Sequence, residues 1–110
     1  MKNKKSKIEI AVELDDNKIP EKIFWSATDA GIENSQTKAP FLSVWESSKK
    51  ESLRIDLWTK DMPLDEMKIF FYQILTSMSS TYMRATQDEK MSQTMLDFCD
   101  YFAEKLELKK

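Results

Sequence analysis

The sequence predicts an α+β fold: an antiparallel sheet of about four strands, built from meanders or hairpins, followed by two C-terminal helices packed on one face. Three observations carry this. Residues 8–14 alternate apolar and polar, the pattern of a half-buried strand. Beyond residue 61 the period lengthens to three and four. All strand-like segments precede all helical ones, and 110 residues hold one domain. We expect a basic flexible tail over residues 1–7 and a single domain over 8–110.

In the first strand Ile8, Ile10, Val12 and Leu14 share a face opposite Glu9, Ala11 and Glu13. Asp15-Asp16-Asn17-Lys18 reads as a turn, and Pro20 interrupts regular structure. Residues 22–27, Lys-Ile-Phe-Trp-Ser-Ala, form a second strand antiparallel to the first. Gly31, the single glycine, marks a tight turn that needs positive φ. Residues 32–40 are polar and fit a loop or a short helix equally.

Residues 41–47 and 53–58 form a hairpin across the polar link Ser48–Ser52. In the matching register Leu42 and Val44 share a face with Ile55 and Leu57. Phe41, Ser43 and Trp45 then lie with Arg54, Asp56 and Trp58. A slip of one residue would exchange the faces of the first strand.

Asp61 is a candidate cap and Pro63 a first-turn residue for a helix that ends near Arg84. Its apolar stripe is Met67, Phe70, Phe71, Ile74, Leu75, Met78 and Tyr82. Thr86-Gln87-Asp88-Glu89 has the form of a capping box, with Thr86 as the cap. The second helix carries Met91, Met95, Phe98, Cys99, Phe102 and Leu106 on one stripe, with Lys105 and Lys109 toward its negative end.

The rare residue types exclude whole classes of chemistry. There is no histidine, so no Ser-His or Cys-His pair and no imidazole ligand. One glycine leaves no phosphate-cradling loop, and one cysteine no intramolecular disulfide. We expect no enzyme activity, no cofactor and no metal. Cys99, between Phe98 and Phe102, fits a buried thiol better than a reactive one. Asp56, Asp61, Asp65 and Glu66 lack the alternation of a calcium loop and read as structural acids. The methionines on the helices read as core.

The net charge is −2, with four lysines among the first seven residues and a mainly acidic body, which disfavours nucleic acid. The basic start runs directly into Ile8-Glu9-Ile10, without a signal-like apolar run. No segment is long and apolar enough for membrane insertion. We therefore expect a cytoplasmic location. If helices cover one sheet face, the other must be solvated or bound. That face carries Phe41, Trp45, Arg54 and Trp58, and tryptophan and arginine are typical interface anchors. These four are the candidate protein-binding residues, although a Trp45–Arg54 stack within the sheet would also account for two of them.

Several stretches resemble the GldC family of gliding motility-associated proteins of the Bacteroidota. They are Leu-Ser-Val-Trp-Glu-Ser (42–47), Ile-Asp-Leu-Trp-Thr-Lys-Asp-Met-Pro-Leu-Asp-Glu-Met-Lys-Ile-Phe-Phe (55–71) and Arg-Ala-Thr-Gln-Asp-Glu-Lys-Met (84–91). Asp-Phe-Cys-Asp-Tyr-Phe-Ala-Glu-Lys-Leu-Glu-Leu-Lys (97–109), Val-Glu-Leu-Asp (12–15) and Gly-Ile-Glu-Asn (31–34) extend the likeness over nearly the whole chain. The resemblance implies an accessory role in gliding motility, binding a protein component of the cell-envelope gliding and secretion machinery. A chaperone-like domain for unfolded client segments is the alternative. The aromatic face also fits a homodimer seam.

Overall fold

The computed structural model describes residues 4–108. Over these residues the fold is α+β, with five antiparallel strands followed by two helices. The chain divides between Met62 and Pro63 into two compact units, the strands in one and the helices in the other.

The first sheet has the order β1-β2-β3, formed by β1 (Ile8–Leu14), β2 (Pro20–Ala27) and β3 (Ile32–Thr37). Its register sets Ile8, Ile10 and Val12 opposite Ala27, Trp25 and Ile23. Ile23 in turn faces Thr37, and Trp25 faces Ser35. Alternation therefore gathers Ile8, Ile10, Val12, Ile23, Trp25 and Ala27 on one face and leaves Ala11 and Phe24 on the other. The buried members of that face are Ile23 and Ala27. The register shifts near Leu14 and again near Ala27. Asp15 closes the β1–β2 connection, its Oδ1 accepting from the N–H groups of Asn17 and Ile19 at 2.8 and 3.0 Å. Lys7, the last residue of the expected tail, exchanges bonds with Thr28. Residues 1–3 of that tail lie outside the described residues.

Gly31 does take positive φ, 69°, closing a short 3₁₀ turn over Thr28–Ala30. The polar segment after it is strand β3 rather than loop or helix. Its side chains carry no alternation to read. Its pairing with β2 comes from backbone hydrogen bonds.

The second sheet is a two-stranded ribbon of β4 (Phe41–Glu46) and β5 (Glu51–Asp56). Leu42 faces Ile55, Val44 faces Leu53, Ser43 faces Arg54 and Trp45 faces Ser52. The expected sharing of faces thus holds. The strand boundaries differ: β5 ends at Asp56, so Trp58 follows it rather than belonging to it. Backbone bonds nevertheless continue past that end in the same register, with the Leu57 N–H donating to Pro40 O at 3.3 Å and Thr59 N–H to Lys38 O at 2.8 Å.

In the other unit, α1 (Leu64–Thr86) and α2 (Glu89–Lys105) form a helical hairpin. Asp61 does not cap α1; the cap position is Pro63, with no side-chain bond. Thr86 does not cap α2 either. It is the last residue of α1, and its hydroxyl donates to Tyr82 O at 2.8 Å. Gln87 turns the chain at φ 59°, and Asp88 is the cap, accepting from the Met91 N–H at 3.0 Å. Two residues between helices leave room for one cap only, and Asp88 is the one adjoining the first helical turn.

The seam between the helices also differs from the expected apolar stripes. Ser79, Ser92, Cys99 and Ala103 are its buried residues. Ser92 Oγ donates to Ser79 O at 3.0 Å across it. Phe71, Met78, Met91 and Phe98 remain exposed. Small side chains let two helix backbones approach closely, and the other bulky stripe residues, Met67, Phe70, Ile74, Leu75, Tyr82, Met95, Phe102 and Leu106, are half-buried. Cys99 is buried, as its surroundings predicted. Lys109 lies outside the described residues.

Candidate functional site

The β4–β5 ribbon presents two dissimilar faces. Strand alternation puts Leu42, Val44, Leu53 and Ile55 on one and Phe41, Ser43, Trp45, Ser52, Arg54 and Asp56 on the other. Every residue of both strands except Glu46 is exposed. The candidate residues Phe41, Trp45 and Arg54 therefore share one face. Trp45 is 62 % exposed.

Arg54 does not sit directly across from Trp45, which faces Ser52. Its Nε instead donates to Asp56 Oδ2 at 3.0 Å, two residues along the same strand. The guanidinium is held at the strand surface by a neighbour two residues away, on the side of Phe41. Ser43 and Ser52 share a hydroxyl hydrogen bond beside it. The face is thus a polar strip bordered by aromatic rings.

Trp58 lies at the foot of the ribbon, 57 % exposed. It borders a groove of about 270 Å³ with Ile19, Pro20, Asp56 and Leu57. Backbone bonds fix this corner: the Lys60 N–H donates to Pro20 O at 3.2 Å, linking the residues after β5 to the start of β2. Buried Thr59 donates through Oγ1 to Asp61 Oδ1 at 2.6 Å. That hydrogen bond, with Lys38 at 3.4 Å, holds the Asp61 carboxyl below its ordinary pKa. Asp15 is likewise lowered, chiefly by the Ile19 N–H and then by Lys60 at 3.0 Å. Ile19, Pro20 and Leu57 were not among the sequence candidates. The Lys60–Pro20 backbone bond and the Lys60–Asp15 ion pair bring this corner together, and no local pattern announces either.

The four acids considered for metal binding have separate duties. Asp56 holds Arg54, Asp61 accepts from Thr59, and Asp65 and Glu66 lie in the first turn of α1. Among the described residues no three cysteine, aspartate or glutamate side chains gather into a cation site.

An exposed aromatic ribbon joined in sequence to a helical hairpin defines a small α+β protein of the strands-then-helices kind. Residues 20–108 match the model of the gliding motility-associated protein GldC-like family, and the chain belongs to that family. The likeness seen at residues 42–47 and 55–71 falls inside this match. No curated protein and no solved structure matches the chain. Among the described residues, no helix is long and apolar enough to cross a membrane.

Proposed function

We propose that this gliding motility-associated protein is a non-enzymatic protein-binding module. It docks through the ribbon face that carries Phe41, Trp45 and Arg54, with Trp58 at its foot. Its partner is a protein component of the gliding and secretion machinery, met on the cytoplasmic side of the envelope. The observation that supports this most is the exposure of Trp45 and Trp58. Large indoles that lie more than half in solvent lose water on docking, and such residues dominate interface energetics.

The test is co-purification with the gliding and secretion components from a gliding bacterium. Wild-type protein should retain at least one of them. Trp45→Ala with Trp58→Ala should reduce retention about tenfold or more while far-UV circular dichroism stays unchanged. Full retention by a folded double variant removes this face from the reading.

A second reading is a chaperone-like domain for unfolded segments. The exposure of Phe71, Met78, Met91 and Phe98 favours it, because thioethers adapt to varied apolar partners. It expects suppression of aggregation of unrelated unfolded clients. Selectivity for one folded partner counts against it.

A further inference from the structure

Among the described residues, the two sheets leave four strand edges without a strand neighbour, those of β1, β3, β4 and β5. Natural proteins keep such edges from pairing at random by placing charge on them. β1 carries Glu9 and Glu13, β3 carries Glu33, and β5 carries Glu51, Arg54 and Asp56. β4 differs in kind: its one charge, Glu46, stands at its last residue, and Phe41-Leu42-Ser43-Val44-Trp45 before it is a mainly apolar run with no charge, glycine or proline. A short, uncharged segment of high β-propensity on an open edge is a pairing surface.

The phase of the strand fixes which backbone groups that edge offers. Pro40 O accepts from the Leu57 N–H, so even-numbered residues of β4 direct their polar groups toward β5. Ser43 and Trp45 consequently direct theirs to the opposite edge. Pro40, which has no N–H, falls on the β5 side, where its missing donor costs the outer edge nothing.

The segment is also its own complement. Read in either direction it runs aromatic, aliphatic, serine, aliphatic, aromatic. We infer that β4 pairs antiparallel with β4 of a second copy of this chain, about a two-fold axis at Ser43, to give a continuous sheet β5-β4-β4′-β5′. In that register Ser43 meets Ser43′, Leu42 meets Val44′, and Phe41 meets Trp45′. Ser43 and Ser43′ form a hydrogen-bonded pair, exchanging two N–H···O=C bonds. On the aliphatic face Leu53, Val44, Leu42′ and Ile55′ form an unbroken row, and the two-fold axis repeats it. Each of these residues is exposed in the single chain, and cross-strand aliphatic neighbours are what stabilise a sheet face. Self-complementarity selects a second copy over an unrelated strand. In this dimer Phe41 and Trp45′ become neighbours on the docking face of the proposed function, which the partner's sheet extends and does not cover, so neither reading depends on the other.

The solution mass of the full chain tests this. Sedimentation equilibrium should give twice the 12.9 kDa chain mass. Ser43→Glu puts two like charges across the axis and should return the mass to that of one chain, with circular dichroism unchanged. In a Cys99→Ala background, Ser43→Cys should cross-link on mild oxidation, because paired Cα atoms lie about 5.5 Å apart and within disulfide reach. Ser52→Cys in the same background should stay unlinked, since three strand spacings, about 14 Å, then separate the thiols. A wild-type chain of single mass at about 100 µM overturns the inference. So does a folded Ser43→Glu dimer, or cross-linking at position 52 as readily as at 43. A monomer that instead takes up an extended peptide along β4 overturns it too, and assigns the edge to a different partner.

Discussion

Asp15 joins two parts of the strand unit through one side chain. Its Oδ1 accepts the Asn17 and Ile19 N–H groups, and its Oδ2 meets Lys60 Nζ at 3.0 Å. Both contacts favour the ionised carboxylate, so its pKa is lowered in the folded chain. The folded state then binds fewer protons than the unfolded one near the ordinary aspartate pKa. The contribution is complete above the unfolded value and disappears as pH falls through the lowered folded value. Lys60 is raised, mainly by its hydrogen bond to Asp15, so its share persists below its ordinary pKa and fades as pH rises through the folded value. Asp15→Asn keeps the turn acceptors and removes the charge. Urea midpoints measured between about pH 5 and pH 2 should therefore fall less steeply for Asp15→Asn than for wild type. Parallel acid limbs would show that the charge does not matter. Asp88 gives a second residue-level prediction. It caps α2 and accepts the Tyr82 hydroxyl at 3.1 Å. Asp88→Ala should cost about 1 kcal/mol or more in denaturant unfolding, and Thr86→Ala less.

At the scale of elements, the helical seam makes the sharpest claim. Ala103 is fully buried, and Cys99 is 2 % exposed. A seam lined by small side chains has no spare volume for a larger one. Ala103→Leu should destabilise the chain by about 1–3 kcal/mol, whereas Met91→Leu on the exposed flank should be nearly neutral. Equal midpoints for the two variants would place the close approach elsewhere. This seam also shows where the sequence stops being legible. Periodicity identified both helices, because bulky apolar residues recur at three and four. It did not announce the buried Ser79 and Ser92, because serines look polar in sequence and the Ser92 Oγ to Ser79 O bond joins residues on different helices. β1 was legible because its apolar and polar residues alternate. β3 was not, because Ile-Glu-Asn-Ser-Gln-Thr has no alternation and is held by backbone pairing. For the candidate site, parity alone put Phe41, Trp45 and Arg54 on one face. The groove beside Trp58 depends on a contact between Lys60 and Pro20, forty residues apart in sequence, and long-range contacts leave no local trace.

At the scale of the whole molecule, the two units carry separate reporters. Trp25, Trp45 and Trp58 all lie before Met62, and both helices lie after it. Tryptophan fluorescence thus follows the strand unit and ellipticity at 222 nm mainly the helical one. Among the described residues, the buried hydrophobic ones are Ile23 and Ala27 in the first unit and Cys99 and Ala103 in the second. Cores so small do not sustain segments of this length alone, since chains of about fifty residues are already marginal. We therefore propose that residues 8–110 behave as a single cooperative domain. The two signals should trace one urea transition with a common midpoint. If the β4 edge joins two copies, that shared midpoint should also rise with protein concentration, because association stabilises the folded chain by mass action. Separate midpoints would divide the chain into two independently folding parts. A shared midpoint that does not move with concentration would keep the single domain and remove the dimer as a source of its stability.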